Sequence, residues 1–449
     1  MGISRRAREI LALSFGTLAA QGCSHFAAKH AARGDAAFDQ RNYAAAIDEY
    51  TQATRFEPDD PHLIRQLGLA HKALGHRPDA YVFLQKARDI DPADTLARLT
   101  LANMLLADGR FDAAITEASG VLSKAPRSLE ALNLLGSAYL AKRDLGKALE
   151  TFRTIVDVAP RDARGPYLVG LALLAESNTP AASQSFQAAL ELSPSFVDPL
   201  AQLVRIDLAA NRPDAALARV QKQIAVVGDS AKLHELLGTV YLARGERERA
   251  DAELRKATAL APRSSDSFAR LGALDLAEGK PDRALANADS SLKADPKNLN
   301  ALLMQGVAYE QQGDTKRAKQ AYEAALAINP RYPDAANNLA TLLVNEDSTS
   351  KRALELAEIA NSASPDDGRI SDTLGWIFYK RGDYRRAAAL FAEAAARMPD
   401  EPTVAYHLGI ARLKVGDAPG ARTALNRALT SRSVFPDREA AQRALASLK

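Results

Sequence analysis

An all-helical solenoid of stacked helix pairs is the fold class this 449-residue chain predicts, and three observations carry it. Prolines recur every 34 residues, at Pro58, Pro92, Pro126, Pro160 and Pro194, then at Pro262, Pro296 and Pro330. Pro365 and Pro399 follow at spacings of 35 and 34, and Gly228 interrupts the series once. Within each period an alanine returns at the same position, from Ala46 to Ala421, without exception. Composition is 47% hydrophobic with only 6% aromatic residues, and no run beyond the N-terminus has the look of a strand. A single compact domain of this length would be unusual, whereas a stack in which each element touches only its neighbours has no such ceiling.

Counting Ala27 as the first position, the repeat carries a small residue at 8, often Gly at 15, Ala at 20, a bulky apolar residue near 24, Ala near 27 and Pro at 32. Gly34, Ala46, Tyr50, Ala53 and Pro58 show it in the first repeat, and Gly136, Tyr139, Ala148, Phe152 and Pro160 in the fourth. In the ninth it is Gly306, Tyr309, Gly313, Ala318, Tyr322, Ala325 and Pro330. This pattern resembles the tetratricopeptide repeat family. The resemblance implies a right-handed α-solenoid of about twelve helix-turn-helix repeats over residues 27–436, starting near 27, 61, 95, 129, 163, 197, 231, 265, 299, 333, 368 and 402, closed by a capping helix over 437–449.

Each element has a local reason. Nine repeats keep Gly at position 8, where a helix-interior glycine costs about 1 kcal/mol relative to alanine, so a close approach must offset the cost. The expected partner is the Ala at position 20 of the second helix. The closing Pro ends the second helix, because it lacks an N–H and biases its predecessor away from helix. Asp59-Asp60 and Asp366-Asp367 at repeat boundaries read as helix N-caps. Repeat 6 departs most, with Val204 at the Gly position, Gln223 at an apolar one and Gly228 for Pro; this is read either as a weakened interface, a hinge between repeats 1–5 and 7–12, or as ordinary drift of the repeat. Repeat 10 carries one extra residue, which places Asn345 to Lys351 in an exposed loop.

The first residues are patterned differently. Arg5, Arg6 and Arg8 precede an apolar run from Ile10 to Ala20, too short to span a bilayer comfortably, which ends at Ala20-Gln21-Gly22-Cys23. This is similar to a bacterial lipoprotein signal, with Ala20 where that pattern favours Leu. The resemblance implies a signal peptide over 1–22, lipidation of Cys23 as the mature N-terminus, a short linker over 23–26 and, from Ser24, transfer to the outer membrane. Cys23 is the only cysteine, which excludes an intramolecular disulfide framework. An uncleaved anchor and a cytosolic protein with an apolar start are the alternatives.

No phosphate-cradling loop, nucleophile elbow or paired-cysteine metal motif is present, so neither catalysis nor a cofactor is expected. Seven histidines are scattered, His25 and His30 near the start. His71 and His76 flank an inter-helix turn, and their spacing is read as placing them on different faces, which predicts no metal site. A net charge of +3 with interspersed signs argues against nucleic acid.

What remains is recognition of a protein or peptide. In the family the first helix of each repeat lines a concave groove, with positions 2, 5, 6, 9, 12 and 13 facing a ligand. Projected here, repeats 3 to 5 offer Leu99, Leu134, Leu168 and Leu171 beside Arg164 and Tyr167. Repeats 10 to 12 offer Asn337, Asn338, Thr341 and Asn345, then Arg369, Asp372, Trp376, Tyr379 and Lys380, then Tyr406, His407 and Lys414. The second set is the preferred peptide-binding groove, since Asn amides can pair with both groups of an extended backbone and the aromatics offer stacking area. Asp372 to Trp376 and Tyr406 to Gly409 are also similar to the C-terminal repeats of bacterial envelope lipoproteins that accompany exopolysaccharide and exosortase-type systems. Three functions follow: a lipid-anchored periplasmic scaffold for envelope assembly or export, a cytosolic adaptor or co-chaperone, and a carbohydrate-binding protein or enzyme, disfavoured for want of clustered carboxylates.

Overall fold

The structure is a computed structural model and describes residues 25–431 and 435–448. The signal segment and Cys23 lie outside the described residues. Among the described residues there are helices and turns and no strands. The chain divides into two compact units, one ending at Val227 and the other starting at Gly228. Both helices of repeat 6, the candidate hinge, therefore belong to the first unit, and the division falls at Gly228 where that repeat closes.

In the first unit the helices follow one another in antiparallel pairs: 25–39 (α1) with Tyr43–Thr54 (α2), Pro61–Ala73 (α3) with Arg77–Ile90 (α4), and Thr95–Ala107 (α5) with Phe111–Leu122 (α6). Leu129–Ala141 (α7) with Leu145–Val158 (α8), Arg164–Ala175 (α9) with Thr179–Leu192 (α10), and Val197–Ala209 (α11) with Pro213–Val227 (α12) complete it. His25 and Phe26, expected in a linker, already belong to α1.

The second unit pairs Ala231–Ala243 (α13) with Arg247–Leu260 (α14), Ser265–Ala277 (α15) with Pro281–Ala294 (α16), and Leu299–Gln311 (α17) with Thr315–Ile328 (α18). Pro333–Glu346 (α19) with Lys351–Ala363 (α20), Gly368–Lys380 (α21) with Tyr384–Arg397 (α22), and Pro402–Lys414 (α23) with Ala418–Thr430 (α24) follow, before the short helix Arg438–Ala446 (α25). Each unit is an α-solenoid built from these pairs.

The crossing within each pair differs from the expectation. A Cβ built on the position-8 glycine meets the bulky residue at position 24, not the alanine at 20. Gly68 would place it 2.6 Å from Leu84 Cγ, Gly238 2.8 Å from Leu254 and Gly375 2.8 Å from Phe391, and at Gly136 and Gly306 it would overlap the rings of Phe152 and Tyr322. The glycine is a notch for a side chain rather than a flat surface for a backbone. Where position 8 is larger, position 24 is smaller: Ala102 goes with Ala118, Ala340 with Ala357 and Val204 with Val220, all buried. Repeat 8 has both Gly272 and Ala288, and Met304 of the next repeat fills the space. Paired volumes, not a particular residue, are conserved from repeat to repeat, as close packing requires. The position-20 alanines from Ala46 to Ala421 are all at most 1% exposed, so the invariant residue is the wholly enclosed one.

Gly306→Leu is accordingly expected to cost about 1–3 kcal/mol by overpacking against Tyr322. Hydrogen exchange should show the loss in α17 and α18 while distant repeats keep their protection. Equal loss along the whole chain would contradict a stack of nearest-neighbour contacts.

The turn inside each pair is left-handed at position 15. Gly75 has φ +78°, and where glycine is absent Arg41, Arg143, Ser177 and Asn211 adopt the same region, with Arg143 at φ 64°. Repeat 10 is the exception. There the extra residue builds a turn in which Asp347 Oδ1 accepts from Thr349 N at 2.8 Å and from Thr349 Oγ1 at 2.7 Å, and the loop is largely exposed, as expected. The boundary aspartates act as caps: Asp60 accepts from Leu63 N at 3.0 Å and Asp367 from Arg369 N at 2.9 Å.

Candidate functional site

The surface preferred from sequence, on α19, α21 and α23, is mostly engaged in holding the second unit together. Asn338 Nδ2 donates to Tyr322 Oη at 3.3 Å, and that hydroxyl donates to Glu310. Arg369 is exposed but tied to Asp367 Oδ2 at 2.6 Å and Asp334 Oδ1 at 3.1 Å, and these carboxylates raise its pKa above the ordinary guanidinium value. Asp372 receives His407 Nδ1 at 2.9 Å. Trp376 stacks between His407, with centroids 4.5 Å apart, and Tyr379, at 5.5 Å and nearly parallel. Tyr379 meets Tyr384 edge-on at 5.2 Å, and burial raises its pKa.

Tyr406 and His407 are each only 9% exposed. They are not groove residues. Tyr406 shares an apolar cluster with Leu425, Phe435 and Ala441, so the terminal helix α25 packs where an open surface was projected. Position 5 or 6 faces a groove only where the next repeat leaves it uncovered, and in repeat 12 the cap takes that place. Asn337 and Thr341 remain part-exposed; Thr341 Oγ1 donates to the Asn337 carbonyl at 3.0 Å, while Asn337 Oδ1 is buried with no hydrogen-bond partner.

Open cavities lie on other first helices. In the first unit a cavity of about 510 Å³ is lined by Glu130 and Asn133 of α7, Arg164, Tyr167 and Leu168 of α9, and Phe196. Arg164, Tyr167 and Leu168 belong to the second sequence candidate. Asp162 holds Arg164 at 2.6 Å, and Tyr167 meets Phe196 edge-on at 5.1 Å, which fixes the rim. Burial raises the Tyr167 pKa, with Asp198 acting in the same direction.

In the second unit a cavity of about 470 Å³ lies between α15 and α17, lined by Asp266, Arg270, Asn300, Leu303, Met304 and Val307. These are positions 2, 6, 2, 5, 6 and 9 of their repeats, the same register as the projection, in repeats the sequence reading passed over. The signal available was the register itself: Asp266 and Asn300 stand at position 2 and are exposed beside apolar neighbours. Gly272 and Ala288 explain why a cavity forms here, since Met304 turns inward to fill their space and leaves the groove face hollow. Polar edges around an apolar floor suit an extended peptide segment.

One expectation about metal chemistry is corrected. His71 and His76 sit on successive helices rather than on one, and the chain reversal at Gly75 brings their Nδ1 atoms to 3.4 Å.

Models of the tetratricopeptide repeat match residues 99–163, 133–196, 269–336, 303–367 and 373–448, and two further tetratricopeptide models match 173–238 and 231–264. The chain belongs to the tetratricopeptide repeat family. Tetratricopeptide proteins bind protein partners and are generally non-catalytic. The chain is 28% identical over 108 residues to the BBSome complex member BBS4 of Bos taurus, covering 24% of this chain and 21% of that protein. Among solved structures it resembles the APC/C hetero-tetramer Cut9–Hcn1, with a TM-score of 0.51 at 13% identity over 93% of this chain and 95% of that one. A tetratricopeptide repeat protein from Parabacteroides merdae gives a TM-score of 0.46 at 18% identity over 56% of this chain and 99% of that one. At such identities the likeness concerns the fold alone.

Proposed function

We propose that this tetratricopeptide protein is a non-catalytic scaffold that holds an extended segment of a partner protein, and that it works in a bacterial envelope, tethered by a lipid on Cys23, in assembly or export. The observation that carries the binding half is the hollow between α15 and α17, where side chains from two successive first helices converge on one polar-rimmed apolar surface. Arg270 is held only at 3.4 Å by Glu235 and remains 56% exposed at its side chain, so it is available to a partner carboxylate or carbonyl. Asn300 is exposed and accepts from Tyr332 Oη at 3.1 Å, which orients its amide for a backbone group.

A partner recovered by cross-linking from membranes should lose about ten- to a hundredfold in affinity in Asn300→Ala and Arg270→Ala, the cost of leaving about 1–3 kcal/mol of hydrogen bonding unmade. Arg385→Ala, on the exposed side of α22, should leave affinity unchanged. Full affinity in both cavity variants would move the site to the hollow on α7 and α9.

The envelope half rests on Arg5, Arg6 and Arg8, the apolar run and the lone Cys23. No helix among the described residues is long and apolar enough to cross a membrane, so attachment would rest on the N-terminal segment. Labelled palmitate should enter the wild type and not Cys23→Ala, which should be released from the membrane fraction; label retained by the variant would end the lipoprotein reading. A cytosolic adaptor is the second reading, and the same fractionation distinguishes it.

A further inference from the structure

We propose that His71, His76 and Asp79 form a site for a late first-row divalent cation, Zn²⁺ or its neighbours, at the turn between α3 and α4. His71 stands in the last turn of α3, His76 at the N-cap of α4 and Asp79 in the first turn of α4. The left-handed Gly75, at φ +78°, folds the two helices so that both imidazoles turn the same nitrogen inward. Their Nδ1 atoms are 3.4 Å apart, Asp79 Oδ2 is 3.8 Å from His71 Nδ1, and the three ligand atoms all lie within 4.8 Å of one another.

The distances carry the chemistry. With metal–nitrogen bonds of about 2.0–2.1 Å, tetrahedral geometry separates neighbouring ligand atoms by about 3.3–3.4 Å. The two nitrogens already have that separation. Asp79 must move closer to both imidazoles, and its side chain is 59% exposed, so rotation about its own bonds can bring it in. Without a cation the pair is poorly satisfied, because 3.4 Å is long for an N–H···N bond and two inward protons would repel.

The ligands are prepared to different degrees. His71 is 14% exposed at its side chain and lies flat on Phe83, with centroids 5.3 Å apart at 12°, which fixes its ring. His76 caps α4 by position alone, since its side chain makes no capping hydrogen bond and is free to bind elsewhere. Two imidazoles and one carboxylate suit Zn²⁺, Co²⁺, Ni²⁺ or Cu²⁺, whereas Ca²⁺ and Mg²⁺ call for oxygen ligands throughout. Water fills the remaining position at this exposed turn. The bound ion joins the end of one helix to the start of the next and so stiffens repeat 2.

The test uses the full chain without a polyhistidine tag, stripped of metal, and titrates it with Co²⁺ by visible absorption and with Zn²⁺ by calorimetry. One equivalent should bind, with the d–d bands of a nitrogen–oxygen site, and hydrogen exchange should slow in α3 and α4 on addition of Zn²⁺. His76→Gln and Asp79→Asn, both at exposed positions that leave the fold intact, should each weaken binding about tenfold or more. His62→Gln, on the same helix as His71, should leave binding unchanged. Absence of a Co²⁺ spectrum in the wild type, or equal binding by the His76→Gln, Asp79→Asn double variant, overturns the assignment.

Discussion

Tyr322→Ala is expected to destabilise its repeat and the two beside it by about 3–5 kcal/mol, the range for emptying a fully buried aromatic site. Tyr322 is 0% exposed and its ring fills the notch at Gly306, so the deletion leaves a cavity that the surrounding helices cannot close without moving α17 against α18. Two polar groups lose a partner as well. The Tyr322 hydroxyl donates to Glu310, whose carboxyl is pushed up in pKa by burial and held down by that bond, and it accepts from Asn338 at 3.3 Å. Tyr322→Phe separates the two contributions and should cost about 1–3 kcal/mol, the penalty of unmade hydrogen bonds without the cavity. Because a repeat array does not unfold as one step, the measurement is residue-resolved hydrogen exchange, with protection lost in α17, α18 and α19 and kept in the first compact unit. A loss below about 1 kcal/mol for the alanine variant would mean that the notch can collapse.

Trp376→Ala is expected to cost about 2–4 kcal/mol, less than a fully buried tryptophan because one edge is open to solvent. The indole lies between His407 and Tyr379, and Lys380 Nζ stands 4.9 Å from its ring. Each aromatic pair adds about 0.5–1.5 kcal/mol beyond the area it buries. Its removal also takes a stacking partner from His407, which stays held by the Asp372 carboxylate and the ring of Phe391, so α21 and α23 should loosen together and the terminal helix α25 should exchange faster. Trp376→Phe should recover most of the loss. If the alanine variant instead kept full protection while a partner's affinity fell, the aromatic pile would be a binding surface after all.

These two residues mark the difference between what a period can say and what packing adds. The twelvefold recurrence of alanine, the prolines and the glycine positions were enough to place antiparallel helix pairs, because a 34-residue repeat of apolar spacing has one way of burying its faces: against its own neighbours. Helix caps such as Asp60 and Asp367 were equally legible, since capping depends on residues three or fewer positions away. The partner of each glycine was not. Reading position 8 against position 20 chose the smaller residue, whereas the structure sets a large side chain into the gap, a choice that depends on how the two helices are rotated about their axes.

The candidate site divides along the same line. The register of groove-facing positions is what the resemblance to the tetratricopeptide family implies, and the two cavities keep to it. Which of those positions stay open depends on contacts between residues about 35 positions apart, as in His407 on Asp372, or on a terminal helix lying over Tyr406. The sequence alone determined the helix pairs, their period and the buried alanines, because those interactions are local or repeat identically. Only the tertiary structure decided that Tyr406 and His407 are buried, that Asn338 bonds Tyr322 and Trp376 stacks on His407, that the hollow sits between α15 and α17, and that His71 meets His76, because burial and proximity across a turn are properties of the assembled neighbours rather than of any one segment.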